Sequence, residues 1–202
     1  MTKLRQLGRR QLLRLTIGGL SAAGASSLFA SPLSAAPTQQ AVKLPAPNIA
    51  GRYNPNVRSL AMINLHSGEA VKGVYYADGQ YAPEALAQIA SAMRDQQSGE
   101  THDIHVDLVD LLSRLQFKLN TTAPIQIISG YRTIETNEML ALVSRGVARN
   151  SYHIDGMAAD IRIPGRGLRQ VRDAALTMKS GGVGFYARSN FVHVDVGPVR
   201  RW

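Results

Sequence analysis

The chain of 202 residues contains no cysteine. That absence excludes a disulfide scaffold, a cysteine-based zinc finger, a thiol nucleophile and a lipid anchor attached through cysteine. Aromatic residues are few, at 6%, and they form no stacking stripe of the kind that holds single-stranded nucleic acid. Missing too is any strongly apolar run of about 20 residues, the length that a permanent membrane span needs. With 45% hydrophobic and 18% charged residues the chain is neither disordered nor a membrane bundle, and its length suits one domain.

Acidic residues are wholly absent from the first 36 positions, which carry Lys3, Arg5, Arg9, Arg10 and Arg14. More than half of the formal charge of +9 therefore belongs to this segment, and the remainder of the chain carries only +4. A mildly apolar run from Leu15 to about Ala30 follows the arginines, and Ser34-Ala35-Ala36 offers the small residues that a signal peptidase reads. Residues 1–36 are thus an export signal, and Arg9-Arg10 followed by Leu12-Leu13 resembles a twin-arginine signal. The expected location is the periplasm, with no stable membrane span after cleavage at Ala36. A charge of only +4, without a recognition-helix motif, argues against a nucleic-acid partner.

Four prolines (Pro37, Pro45, Pro47 and Pro55) mark residues 37–57 as an extended linker. Residues 58–202 form the folded domain. Arg58–Leu65 and Ala70–Ala77, separated by His66-Ser67-Gly68-Glu69, read as a hairpin. Pro83 opens a helix carrying Leu86, Ile89, Ala90 and Met93 on one face. Helical spacing of Ile104, Leu108, Leu111, Leu112 and Leu115 predicts a second helix over Asp103–Leu119. Further on, Pro124–Ile128 is a short strand, Ile134–Ser144 a helix, Met157–Ile163 a strand and Leu168–Lys179 a helix. Gly181–Tyr186 and Asn190–Gly197 form a closing hairpin. Strands and helices mixed without strict alternation predict a single α+β domain, with a mainly antiparallel sheet flanked by helices.

Two strands break their own apolar pattern with metal-capable residues. Alternation puts Asp160 opposite in facing to Ala159 and Ile161, and His193 and Asp195 opposite to Val192 and Val194. Side by side, these strands bring Asp160 and His193 over one polar face. His153 lies in the loop before the first strand, where Gly156 permits a sharp fold-back. Two imidazoles and a carboxylate form a ligand set suited to catalytic zinc. No helical His-Glu-x-x-His motif is present, which excludes a thermolysin-like arrangement. Spacing alone leaves ordinary alternatives open: an exposed loop histidine at 153, a strand-end carboxylate paired with an arginine at 160, and a sheet histidine bonded to Asp195 at 193.

The run Ser151-Tyr152-His153-Ile154-Asp155-Gly156-Met157-Ala158-Ala159-Asp160 matches a Ser-x-His-x-x-Gly-x-Ala-x-Asp signature. With the distal His193-Val194-Asp195, it resembles the D-Ala-D-Ala carboxypeptidase and hedgehog-like zinc peptidase superfamily. Within that superfamily the chain is most similar to exported murein endopeptidases. The likeness extends from the twin arginines through Leu65–Glu69, Ser129–Arg132 and Gly181–Gly184 to Asn190–Asp195. It implies that His153, Asp160 and His193 ligate zinc. It also implies cleavage of peptidoglycan cross-links, either D-Ala–diaminopimelate or diaminopimelate–diaminopimelate. Arg132 resembles an arginine that contacts substrate or the developing oxyanion; its ordinary alternative is a surface pair with Glu135 or Glu138. Several carboxypeptidases of the superfamily place an acidic general base where this chain has Asn190. Asp195 is therefore the first candidate base, and it could equally orient His193. A zinc-containing peptidoglycan-binding module without catalysis is the rival reading. His66, His102 and His105 are assigned to the surface. The arginines at 162, 166, 169 and 172 suit either the anionic wall or a solvated face.

Overall fold

A computed structural model describes residues 53–144 and 146–202. The export segment and nearly all of the linker therefore lie outside the described residues. The domain is an eight-stranded sheet with four helices; the strands lie in the order β3 (Gln80–Tyr81), β2 (Ala70–Ala77), β1 (Val57–Asn64), β4 (Ile125–Ser129), β5 (Ala158–Arg162), β7 (Phe191–Asp195), β6 (Gly182–Tyr186), β8 (Arg200–Arg201). Most strand pairs are antiparallel, and two, β1 with β4 and β6 with β8, are parallel. The α+β architecture expected from the sequence is the one observed.

Strands β1 (Val57–Asn64) and β2 (Ala70–Ala77) form the first hairpin. The turn is held by Asn64, whose side-chain oxygen accepts from the backbone N–H groups of His66 and Ser67. A two-residue strand β3 (Gln80–Tyr81) extends the sheet and was not legible from so short a run. Helix α1 (Pro83–Ala92) starts at the proline, whose missing N–H costs nothing in the first turn.

Helix α2 (Val106–Lys118) begins three residues later than the apolar spacing predicts. Residues 101–105 instead run past the His153 loop, where the His105 N–H donates to the Gly156 carbonyl at 3.0 Å. The helix is capped by the His105 ring, which accepts from the Asp107 N–H at 3.3 Å. Leu108, Leu111, Leu112 and Leu115 are buried against Leu60, Met62, Ile125 and Ile127 of the sheet. Truncating any of these leucines to alanine costs about 2–5 kcal/mol on general grounds. Gln116, near the end of α2, is also buried, and its amide bonds both the N–H and the carbonyl of Ala61. It continues the backbone ladder of β1 beyond the reach of β4.

Strand β4 (Ile125–Ser129) leads to helix α3 (Ile134–Val143), capped by the Thr133 side chain on the Thr136 N–H. Strand β5 (Ala158–Arg162) then pairs with both β4 and β7. Helix α4 (Leu168–Met178) buries Val171 and Ala175, and strands β6 (Gly182–Tyr186) and β7 (Phe191–Asp195) form the closing hairpin. A last short strand, β8 (Arg200–Arg201), lies parallel to β6. The four arginines read as one basic stretch do not form one surface. Arg166 holds the end of α2 through the carbonyls of Leu119 and Asn120, while Arg172 lies over the Phe185 ring.

Candidate metal centre

Pairing of β5 with β7 places Asp160 directly opposite His193. Facing residues of neighbouring strands hold their Cβ atoms about 5 Å apart, so the carboxylate and the imidazole meet without strain. The pairing of β4 with β5 shifts register between Ile127 and Ser129, a bulge that turns the chain into Gly130. Gly130 sits so close to the Met93 backbone that a Cβ there would collide with it. Its carbonyl accepts from His153 Nδ1 at 2.6 Å, and the Arg132 N–H donates to the His153 carbonyl at 3.1 Å. Gly156, with φ +65°, closes the loop that carries His153 back onto this turn; a side chain there would strike the Asp103 carbonyl.

The result is a buried cluster. His193 Nδ1 lies 2.9 Å from Asp160 Oδ1, and His153 Nε2 lies 3.4 Å from the same oxygen. The two ring nitrogens are 3.2 Å apart. Each ring is fixed from outside the cluster: His153 Nδ1 donates to the Gly130 carbonyl, and His193 Nε2 donates to Asp195 Oδ2 at 3.1 Å. In the neutral rings both inward nitrogens therefore present lone pairs, beside a carboxylate oxygen. Three acceptors converging without a donor require a shared proton or a cation between them. Two neutral imidazoles and one carboxylate are the donor set of catalytic zinc sites, so the residues fit such an ion.

The two rings differ in their electrostatics. Burial pushes the His153 imidazole below its ordinary value, against the opposing pull of Asp160. Burial also opposes charge on His193, but the carboxylates of Asp160 and Asp195 on its two edges outweigh it and raise its pKa. Asp160 is buried as well, yet the two imidazoles hold its carboxyl below the usual carboxylate range.

The remaining site residues fall around this cluster. Arg132 pairs with neither Glu135 nor Glu138. Its Nη2 donates to Asp160 Oδ2 at 2.6 Å and its Nε to Ser129 Oγ at 2.7 Å. Asp195 stands behind His193, on the ring edge away from Asp160 and His153. It is fully buried and accepts from the N–H groups of Gly182 and Gly197, from both terminal nitrogens of Arg200, and from His193. Burial opposes its charge, but His193, Arg200 and the two amides hold its carboxyl well below the usual range. Asn190 is an exposed turn residue of the β6–β7 hairpin, in the left-handed region at φ +57°. His66, His102 and His105 are exposed, as expected.

The cluster forms part of the wall of a groove of about 810 Å³. Among the described residues lining that groove the carboxylates are Asp95 and Asp160. Asp95 is committed to the backbone N–H groups of Thr133 and Gln97, both at 2.7 Å. Sequence reasoning missed the Gly130 carbonyl, Ser129 and Arg200 as supports of the cluster. A carbonyl acceptor leaves no mark in residue identities, and Arg200 lies in the two-residue strand β8, too short to carry a period.

A mixed sheet thus delivers His, Asp and His from two facing strands and one loop into a groove, where they could hold a metal ion. Residues 52–202 match the family described as "Peptidoglycan L,D-endopeptidase MepK", and the chain belongs to this peptidase family. Curated relatives carrying that description occur in Escherichia coli K12 and Shigella flexneri, each 46% identical over 162 residues, covering 80% of this chain and 89% of the relative. A "Probable peptidoglycan L,D-endopeptidase MepK" of Haemophilus influenzae is 39% identical over 160 residues, covering 79% and 86% respectively.

Proposed function

We propose that this chain is a zinc-dependent endopeptidase of peptidoglycan, acting outside the cytoplasm on peptide cross-links. The observation that carries the reading is the convergence of His153 Nε2, His193 Nδ1 and Asp160 Oδ1, with both ring tautomers set from outside. The relatives' description specifies an L,D bond. Between the two cross-links that the sequence left open, that stereochemistry favours diaminopimelate–diaminopimelate, which joins an L to a D centre. The D-Ala–diaminopimelate link joins two D centres.

His153, Asp160 and His193 would hold the ion. Zinc bound there supplies a Lewis acid for the scissile carbonyl and lowers the pKa of water from 15.7 to about 7. Arg132 lines the groove, with Nε and Nη2 committed to Ser129 and Asp160; Nη1 has no protein acceptor among the described residues. That nitrogen is the donor for a substrate oxygen, where fixed positive charge stabilises a developing oxyanion. Asp195 orients His193 instead of serving as the base: its lone pairs are taken by five donors and it sits behind the ring. The lack of an uncommitted carboxylate among the described residues of the groove also suits the second reading, a zinc-holding wall-binding module without catalysis.

Export of residues 1–36 by the twin-arginine route, a linker over 37–57 and a periplasmic location belong to the same proposal. No described helix is long and apolar enough to cross a membrane. The test is digestion of purified peptidoglycan by the untreated, chelator-treated and zinc-restored protein, with the muropeptides resolved. Loss of diaminopimelate–diaminopimelate dimers in the first and third samples only is the expected result. Dimers unchanged in the zinc-loaded sample, with wall binding retained, would leave the binding module.

A further inference from the structure

Beside the metal centre the groove has an aromatic wall that the chemistry above does not use. The Trp202 ring lies 5.3 Å from the His193 ring and is about half exposed, at 51%. Its position is built in several ways. The Trp202 N–H donates to the Val183 carbonyl, its own carbonyl accepts from Phe185 at 3.0 Å, and its Nε1 donates to the Tyr186 hydroxyl at 2.8 Å. Tyr186 in turn stacks on Phe191, with ring centres 4.5 Å apart. Gly184 makes room for the indole: a Cβ at that position would stand 2.7 Å from Trp202 Cε2. The Arg200 guanidinium lies 4.9 Å from the Trp202 ring centre, held there by Asp195. An indole so firmly placed, yet left half open beside the metal centre, is a surface prepared for an apolar group.

We propose that Trp202, backed by Tyr186 and Phe191, forms a subsite for the hydrocarbon chain of a diamino-dicarboxylic acid residue next to the scissile bond. The three methylenes of such a residue lie on the exposed part of the indole, and the Arg200 guanidinium over the ring favours the carboxylate end. This assignment rests on the peptidoglycan reading. It makes Trp202 a specificity-determining residue, separate from the metal ligands.

Trp202 is the single tryptophan of the chain, so its emission reports on this subsite alone. The zinc-loaded protein is titrated with a stem tetrapeptide containing diaminopimelate, and separately assayed on soluble cross-linked muropeptide dimers. A saturable change in emission is expected. Trp202→Ala should raise KM roughly tenfold, at unchanged kcat and zinc content. Trp202→Phe should restore most of the loss, and Gly184→Ala should reproduce it by displacing the indole. Cleavage by the wild type with no emission response and an unchanged KM in Trp202→Ala would overturn the subsite. So would loss of zinc in parallel with the KM change, which would make the indole a support of His193. An emission response from a wild type that cleaves no dimer would retain the subsite and remove the endopeptidase reading.

Discussion

Replacing Asp195 by asparagine tests how the proposed metal centre would be held, because the substitution keeps shape and removes one acceptor oxygen. Asp195 Oδ1 accepts from Gly182, Gly197 and Arg200 Nη1, and Oδ2 accepts from His193 and Arg200 Nη2. The new amide nitrogen goes to the Oδ2 side, since on the Oδ1 side it would face three donors instead of two. There it confronts His193 Nε2–H, and the clash is relieved if the ring moves its proton to Nδ1. That proton then occupies the lone pair aimed at Asp160 and His153. Loss of such an outer hydrogen bond typically lowers metal affinity 10- to 100-fold, and we expect about that for zinc. Arg200, with its side chain 40% exposed, loses one acceptor but is hydrated, so the stability loss is about 1–3 kcal/mol. Competitive zinc titration and urea denaturation of the metal-free protein measure the two effects. Wild-type zinc affinity in Asp195→Asn would refute the assignment of Asp195 as the group that fixes the His193 tautomer.

Three other outcomes follow from the structure. Asp95 is buried, and although burial opposes its charge, the Thr133 and Gln97 amides and the Thr136 hydroxyl lower its pKa. A carboxyl lowered on folding stabilises fully above its unfolded pKa of about 3.9 and loses that contribution as pH falls through the folded value. Asp95→Asn should therefore flatten the acid side of the stability–pH profile, measured by denaturation between about pH 5 and 2. Gly130→Ala forces a methyl group into the Met93 backbone and shifts the carbonyl that fixes His153. A stability loss of about 1–3 kcal/mol, with weaker zinc retention, is expected by thermal and metal assays. Asp110→Ala leaves the buried Tyr75 hydroxyl and Arg58 without their shared partner, on the far side of the sheet. It should cost about 1–3 kcal/mol while zinc content stays at the wild-type level.

Legibility from sequence followed the length of each signal. The β1–β2 hairpin, α1 and α4 carry several repeats of their own period and were placed within a residue or two. The start of α2 differs because Ile104 continues the apolar spacing and joins the same core, while residues 101–105 run past the His153 loop before the helix begins. Strands β3 and β8 have two residues each and no period to read. Alternation in β5 and β7 was enough to bring Asp160 and His193 onto one face. Which edge of each ring points inward was not available, since it depends on a carbonyl and on a carboxylate position that residue types do not encode. The same holds for Arg132, whose partner is set by the bulge at the end of β4 and not by the nearby acids Glu135 and Glu138.

The ordinary alternatives for these residues and the proposed metal site share contacts instead of competing. Asp160 does pair with an arginine, and His193 does bond Asp195. A structural ion pair would satisfy the same atoms only with His193 as an imidazolium, its Nδ1–H donating to Asp160 Oδ1 at 2.9 Å. Here Arg132 takes only Oδ2, and Asp195 takes only Nε2, leaving Oδ1 and Nδ1 to face each other and His153 Nε2. With both rings neutral, three acceptors are buried together, and each forgoes water without gaining a donor unless a cation lies between them. The outer contacts are what make that inner cluster tolerable, and they point every remaining lone pair toward the place where a cation would sit.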